Sequence, residues 1–228
     1  MTTVLDTLPF EPDLVHLLAD LRIDAGSDDA AALRAMVEEA RAIARPKVAY
    51  RVAGIDRKED AGVSVDGVAF ASRVLRVNLE PTQRVFAFVA TCGAELEAWA
   101  APIGGLLEQY WADAIMELAL GFALRALDDE LASRFGTAGL SMMNPGSLPD
   151  WPLSEQRPLF ELVGPAVASI GVRLTDSYLM QPAKSVSGVL FAGESGFESC
   201  QLCTLEHCPH RRASYDPALY ADKYAARD

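Results

Sequence analysis

The sequence predicts a globular domain of mixed helices and strands, on three observations. Lys47 to Ile55 carries Val48, Tyr50 and Val52 in alternation, the period-two pattern of a strand with one buried face. Arg84 to Thr91 is apolar on both faces, through Val85, Phe86, Ala87, Phe88, Val89 and Ala90, which puts it at the centre of a covered sheet. From Glu108 to Phe135, Trp111, Ile115, Leu118, Phe122, Leu127, Leu131 and Phe135 recur at helical spacing, as in a core helix. Half of the 228 residues are hydrophobic, enough to bury a substantial core.

The remaining elements follow in order. The first thirteen residues, with Pro9 and Pro12, read as an arm that packs on something else, and a short helix is expected from Leu14 to Leu21. Ser27 is placed to cap the next helix, with Asp28 and Asp29 at its positive end and Leu33, Met36, Val37, Ala40 and Ile43 on one face. Gly62 to Phe70 suggests a strand bent at Asp66-Gly67, and Ser72 to Leu79 a helix. Cys92-Gly93 closes the central strand, and a helix begins near Ala94. Gly136 and Gly139 end the long helix. Residues 142–152 (MMNPGSLPDWP) form a proline-punctuated loop whose apolar content argues for order. Ser154 to Ile170 reads as one helix capped by Ser154, and Gly171 to Thr175 and Lys184 to Phe191 as strands. Gly188 marks a place where something approaches the backbone closely.

The formal charge of -12 and the lack of a basic patch exclude nucleic acid as a partner, because phosphate binding needs clustered Lys and Arg. The start has no basic n-region and no apolar h-region, and the apolar run from Ala114 to Leu124 is too short to span a bilayer, so a cytoplasmic protein without a membrane association is expected. Glycine-rich phosphate cradles are absent, and His16 is the sole histidine outside the C-terminal stretch.

That stretch, residues 199–212, concentrates Cys200, Cys203 and Cys208 with His207 and His210. The spacing C-x2-C-x4-C lets three thiolates converge on one centre, an iron–sulfur cluster or a zinc ion. A fourth ligand comes from Cys92 or from His207 or His210.

A family resemblance enters on two motifs. Asn144-Pro145-Gly146 followed by Trp151-Pro152-Leu153, and then Gly171-Val172-Arg173-Leu174-Thr175-Asp176-Ser177-Tyr178-Leu179-Met180-Gln181-Pro182 with Ser185-Val186-Ser187-Gly188, resemble the activation domain of cobalamin-dependent methionine synthase. That family reads R-x-x-P-G-Y and G-x-x-L-T-E-S-x-x-M-x-P-x-x-S-V-S-G. The resemblance implies an α+β fold, a bent and mainly antiparallel sheet flanked by helices, with residues 1–228 forming one such domain. It implies a partner, a cobalamin-dependent methyltransferase or corrinoid protein, over whose cobalamin the domain docks so that cob(II)alamin is reduced and remethylated. It implies Asn144, Pro145, Gly146, Ser185, Ser187 and Gly188 as ligand-binding residues.

The sequence also departs from the family. The arginine that pairs with the S-adenosylmethionine carboxylate falls on Met142, the tyrosine after Pro-Gly on Ser147, and the aromatic pair after Ser-Val-Ser-Gly on Val189-Leu190. A desolvated carboxylate needs a charged partner, so these losses argue against S-adenosylmethionine binding. The cysteine-rich end, which the synthase domain lacks, suggests instead an iron–sulfur relay that delivers an electron to cob(II)alamin; zinc, having no redox chemistry, would leave a corrinoid- or partner-binding module.

Overall fold

The computed structural model describes residues 1–137, 139–193, 197–208 and 211–225. The opening arm is partly a strand: β1 (Thr2–Leu5) pairs antiparallel with residues 48–51. α1 (Leu14–Asp20) is capped by Asp13 and α2 (Asp28–Ile43) by Ser27, whose hydroxyl accepts from the Ala30 amide, as the sequence pattern indicates. β2 (Lys47–Glu59) outruns the alternating stretch and carries a register shift between Ile55 and Arg57, where the sheet bends. β3 (Gly62–Val65) and β4 (Val68–Phe70) form a hairpin whose two turn residues, Asp66 and Gly67, have φ of 45° and 83°. Asp-Gly supplies the left-handed backbone that a two-residue hairpin turn requires.

α3 (Arg73–Asn78), capped by Ser72, leads to β5 (Arg84–Thr91), α4 (Ala94–Ala100) and the 30-residue α5 (Leu106–Phe135), which Gly136 terminates at φ 65°. Residues 141–143 are not loop but a short edge strand, β6 (Ser141–Met143). The single helix expected from Ser154 to Ile170 is broken into α6 (Gln156–Val163) and α7 (Ala166–Ser169). Gly164 at φ 84° and Pro165, which has no amide to donate, separate them, and Ser154 lies in a 3-10 turn (Leu153–Glu155) instead of capping. The expected strand at 171–175 shrinks to β7 (Arg173–Leu174), which pairs with β8 (Met180–Gln181) in a small separate hairpin before β9 (Ser185–Phe191).

The main sheet has seven strands in the order β4-β3-β2-β5-β9-β6, with β1 beside β2, and all its strand pairs are antiparallel. β5 is central and buried on both faces. Phe86, Phe88 and Ala90 meet Ala123, Leu127 and Leu131 of α5, while Val85, Ala87 and Val89 belong to a second core with Leu159, Leu162 and Val163 of α6. A third cluster lies among α1, α2, α4 and the first half of α5. No helix among the described residues is long and apolar enough to cross a membrane.

Candidate functional site

The proline-punctuated loop starts from the sheet edge and is pinned at several points. β6 pairs with β9, and the Asn144 side-chain amide donates to the Ser187 carbonyl at 2.8 Å. Gly146 turns the chain at φ 87°, its amide bonded to the Trp151 carbonyl at 2.7 Å. A Cβ there would stand 2.9 Å from Leu153 Cδ1, a side-chain end that can give way, so it is the left-handed backbone that favours glycine here. Trp151 is fully buried, edge-on to Phe70, and Asp150 accepts from the Ser72 hydroxyl and the Val74 amide at the start of α3.

Against this loop lies the C-terminal segment, which the structure shows docked along the sheet. After β9, Phe197 is buried and Glu198 bridges Met142 in parallel, extending the edge beyond β6. Glu198 and Gln201 close a capping box over a 3-10 turn (Ser199–Gln201). The far end is a plug: Tyr224 is fully buried, stacks edge-on to Phe197, and donates its hydroxyl to Asn78 Oδ1 at 2.9 Å. Burial pushes its phenol up to about 12, against the opposing pull of the Asn78 bond. Lys223 reaches the same Asn78 oxygen at 3.0 Å, and Arg73 holds the carbonyls of Tyr224 and Ala225.

Between these anchors, the cysteine-rich loop is organised by Arg211. Its guanidinium donates to the carbonyls of Cys200 at 3.0 Å and Cys203 at 3.3 Å, and also to that of Leu205. Its own amide donates to the Cys208 carbonyl at 3.2 Å. The Arg212 amide points at Cys200 Sγ, 3.4 Å away, and its side chain pairs with Glu198 at 2.9 Å. A guanidinium with several rigid donors is suited to gathering irregular carbonyls that have no ladder partner.

The structure separates the expected site residues into two groups. Cys200, Cys203 and Cys208 share the Arg211 loop with His207, all three thiols half-buried and His207 exposed. His210 lies outside the described residues. Cys92 is elsewhere: its amide bonds to Lys184 just before β9 begins, whereas Cys200 follows the other end of that seven-residue strand, roughly 20 Å along it. Cys92 is fully buried beside Leu96 and Trp111, and burial, with the nearby Glu97 charge, pushes its thiol up to about 12. It faces a helical core and no crevice, so the structure does not bring it to the C-terminal thiols. Among the described residues, no three His, Cys, Asp or Glu side chains stand close enough to hold an ion.

The motif residues around Gly188 are used within the fold. Gly188 is indeed closely approached, by the Met143 carbonyl and the Asn144 amide, where a Cβ would lie at 2.5 and 2.6 Å. The Ser187 carbonyl is taken by Asn144, and the Ser185 hydroxyl bonds to Thr91 and to the Pro182 carbonyl. Open space is found instead where the Pro-Gly loop meets the C-terminal segment. Two cavities, of about 450 and 560 Å³, flank a wall that Pro149 and Leu202 share. The first is edged by Asp150, Tyr215, Asp216 and Tyr220, and the second by Ser147, Cys203 and His207. Sequence reasoning passed over Tyr215 and Tyr220, whose sole signal was their aromatic spacing before Tyr224.

Residues 145–200 match the family model described as the vitamin B12 dependent methionine synthase activation domain. Among solved structures, the crystal structure of the MetH reactivation domain bound to AdoHcy is similar with a TM-score of 0.62 and 14% identity, covering 87% of this chain and 80% of that chain. The fold is that of a methionine synthase activation domain. The matched segment begins in the Pro-Gly loop and runs through β9 to Cys200, so it supplies the Pro-Gly wall of both cavities and stops short of the C-terminal residues that face it. No curated protein matches the chain.

Proposed function

We propose that this chain, as one activation-domain-like domain, is a reactivation accessory for a cobalamin-dependent methyltransferase, docking over the partner's corrinoid to return it to the methylated state. The observation that carries this is the family match over 145–200, which contains the Thr-Asp-Ser-Tyr-Leu-Met-Gln-Pro and Ser-Val-Ser-Gly motifs. The AdoHcy held by the similar crystal structure favours an S-adenosyl ligand here too, in the cleft between the Pro-Gly loop and the C-terminal segment.

The carboxylate partner lost at Met142 has a stand-in. Glu198 is bridged to Met142, and Glu198 holds the Arg212 guanidinium at 2.9 Å, which returns a cation to the strand edge from another part of the chain. AdoHcy is expected to raise the melting temperature of the wild-type protein through linkage, and to lose most of that effect in Arg212→Ala. No shift at millimolar AdoHcy or S-adenosylmethionine would remove the ligand from this reading.

A second reading adds an electron relay to the same role, with an iron–sulfur cluster on Cys200, Cys203 and Cys208 serving cob(II)alamin. The amide directed at Cys200 Sγ favours it, because hydrogen bonds to ligating sulfurs stabilise and tune such centres. Zinc on the same thiols would leave a corrinoid- or partner-binding module. Anaerobic reduction of a partner's cob(II)alamin by the loaded protein, compared with the metal-free protein, separates these.

A further inference from the structure

We infer that the cavity between the Pro-Gly loop and residues 215–220, about 450 Å³ in volume, is a binding site for an alkylated onium cation, an ammonium or sulfonium group carried on a small apolar body. The volume is that of an ordinary small-ligand pocket. Its walls combine three kinds of group: an apolar surface from Pro149 and Leu202, two half-exposed rings from Tyr215 and Tyr220, and the carboxylates of Asp150 and Asp216. Among the described residues, no Lys, Arg or His lines it. Each carboxylate is fixed through one oxygen. Asp150 Oδ2 accepts from the Ser72 hydroxyl and from the Val74 amide, the latter at 2.9 Å. Asp216 Oδ1 accepts from the amides of Ala218 and Leu219 at 3.0 and 3.2 Å, and its own amide donates to the Gln201 carbonyl at 2.9 Å. These bonds set where the two negative charges sit, and none of them supplies a cation.

That combination selects among ligands. An anion is repelled by both carboxylates, and a bare metal ion finds no group of three donors among the described residues. A neutral ligand gains the apolar contact but shields the carboxylates from water with nothing in return. An alkylated onium group has few or no protons that demand acceptors, and its alkyl groups suit the apolar wall. Its spread charge is drawn to the faces of the tyrosine rings and to the carboxylates at the rim. Tyr220 is buttressed by the buried Tyr224, their ring centroids 6.2 Å apart, so its ring is held from behind. Tyr215, Asp216 and Tyr220 all lie beyond the segment that matches the activation-domain family, so this wall comes from the chain's own C-terminal segment.

The site stands on its own walls, and only the sulfonium arm of its test rests on the S-adenosyl reading above. The test is calorimetric titration of the full chain with two pairs of ligands, choline against 3,3-dimethylbutan-1-ol and S-adenosylmethionine against AdoHcy. The members of each pair differ by one positive charge and little in size. At least one charged member is expected to bind about tenfold more tightly than its neutral counterpart. The preference shrinks as salt is raised, because the carboxylates are open to water. Asp216→Asn, which keeps an oxygen for the two amides, and Tyr215→Leu each remove most of the preference while circular dichroism and melting temperature stay at wild-type values. A preference in the choline pair assigns a free ammonium ligand, and one confined to the S-adenosyl pair assigns a sulfonium. Equal binding within both pairs, or no binding by any of the four at millimolar concentration, overturns the site. So does a preference that survives both substitutions, which would put the cation elsewhere. AdoHcy bound as tightly as S-adenosylmethionine, with no preference in the choline pair, removes this site and leaves the reactivation reading standing; choline bound selectively with no effect of either S-adenosyl ligand does the reverse for the ligand of that reading.

Discussion

The centre of the sheet and the C-terminal segment are held by different physics. Along β5, side chains alternate between the α5 core and the α6 core, and the backbone is paired on both sides by β2 and β9. Many equivalent apolar contacts share that task, so no one of them is decisive. Among the described residues, the segment from Phe197 to Ala225 has two short helical pieces, and it is held by a few directed bonds from Arg73, Arg211, Arg212 and Tyr224. The first arrangement is redundant; the second depends on individual residues. A functional loop is easier to graft and reshape on the second, while the first keeps its mounting rigid.

The largest effect that would sharpen this contrast is thiol reactivity. In the metal-free native protein, Cys200, Cys203 and Cys208 are expected to react promptly with a neutral thiol reagent. Cys92, fully buried, reacts only through opening of the core, slower by on the order of a thousandfold. Mass spectrometry of the labelled peptides over time reads this directly, and simultaneous labelling of all four would break the distinction. Next in size is the plug. Tyr224→Ala should cost about 3–5 kcal/mol in urea unfolding and expose residues beyond 197 to limited proteolysis, whereas Tyr224→Phe, losing the bond to Asn78, should cost about 1 kcal/mol. An unchanged midpoint and an uncut segment in Tyr224→Ala would mean that the segment is not docked as described. Below the loss of the whole Tyr224 ring comes Gly188→Ala, whose new methyl would press on the Met143 carbonyl from 2.5 Å and should cost about 1–3 kcal/mol. A variant as stable as the wild type would show that β6 is free to yield.

Much of the central fold was legible. The doubly apolar run of β5, the alternation at the start of β2 and the Ser27 cap were readable because each expresses a local rule of burial or backbone geometry, whereas the stretch from Gly62 to Phe70, expected as one bent strand, is two strands that Asp66-Gly67 folds back on each other. The break between α6 and α7 was written in Gly164-Pro165 and was outweighed by the apolar pattern on either side. The pairing of β1 with β2 and of β6 with β9 was not legible, since strands of three or four residues carry too little pattern to name a partner. The site divided in the same way. The C-x2-C-x4-C spacing marked the C-terminal thiols, but the reading of Gly188 as a place of close approach could not say that Met143 and Asn144 would be what approaches.

By itself, then, the sequence determined which residues had to be buried, where helices could begin, and that thiols and imidazoles were gathered in one short stretch. These follow from composition and from spacing along the chain, which folding does not alter. Only the tertiary structure decided that Cys92 lies at the far end of β9 from the other cysteines, that Arg211 closes the loop they share, and that this loop rests on the Pro-Gly turn with Tyr224 as its anchor. Those are relations between residues distant in the chain, and their geometry depends on strand order, register and the docking of one segment on another.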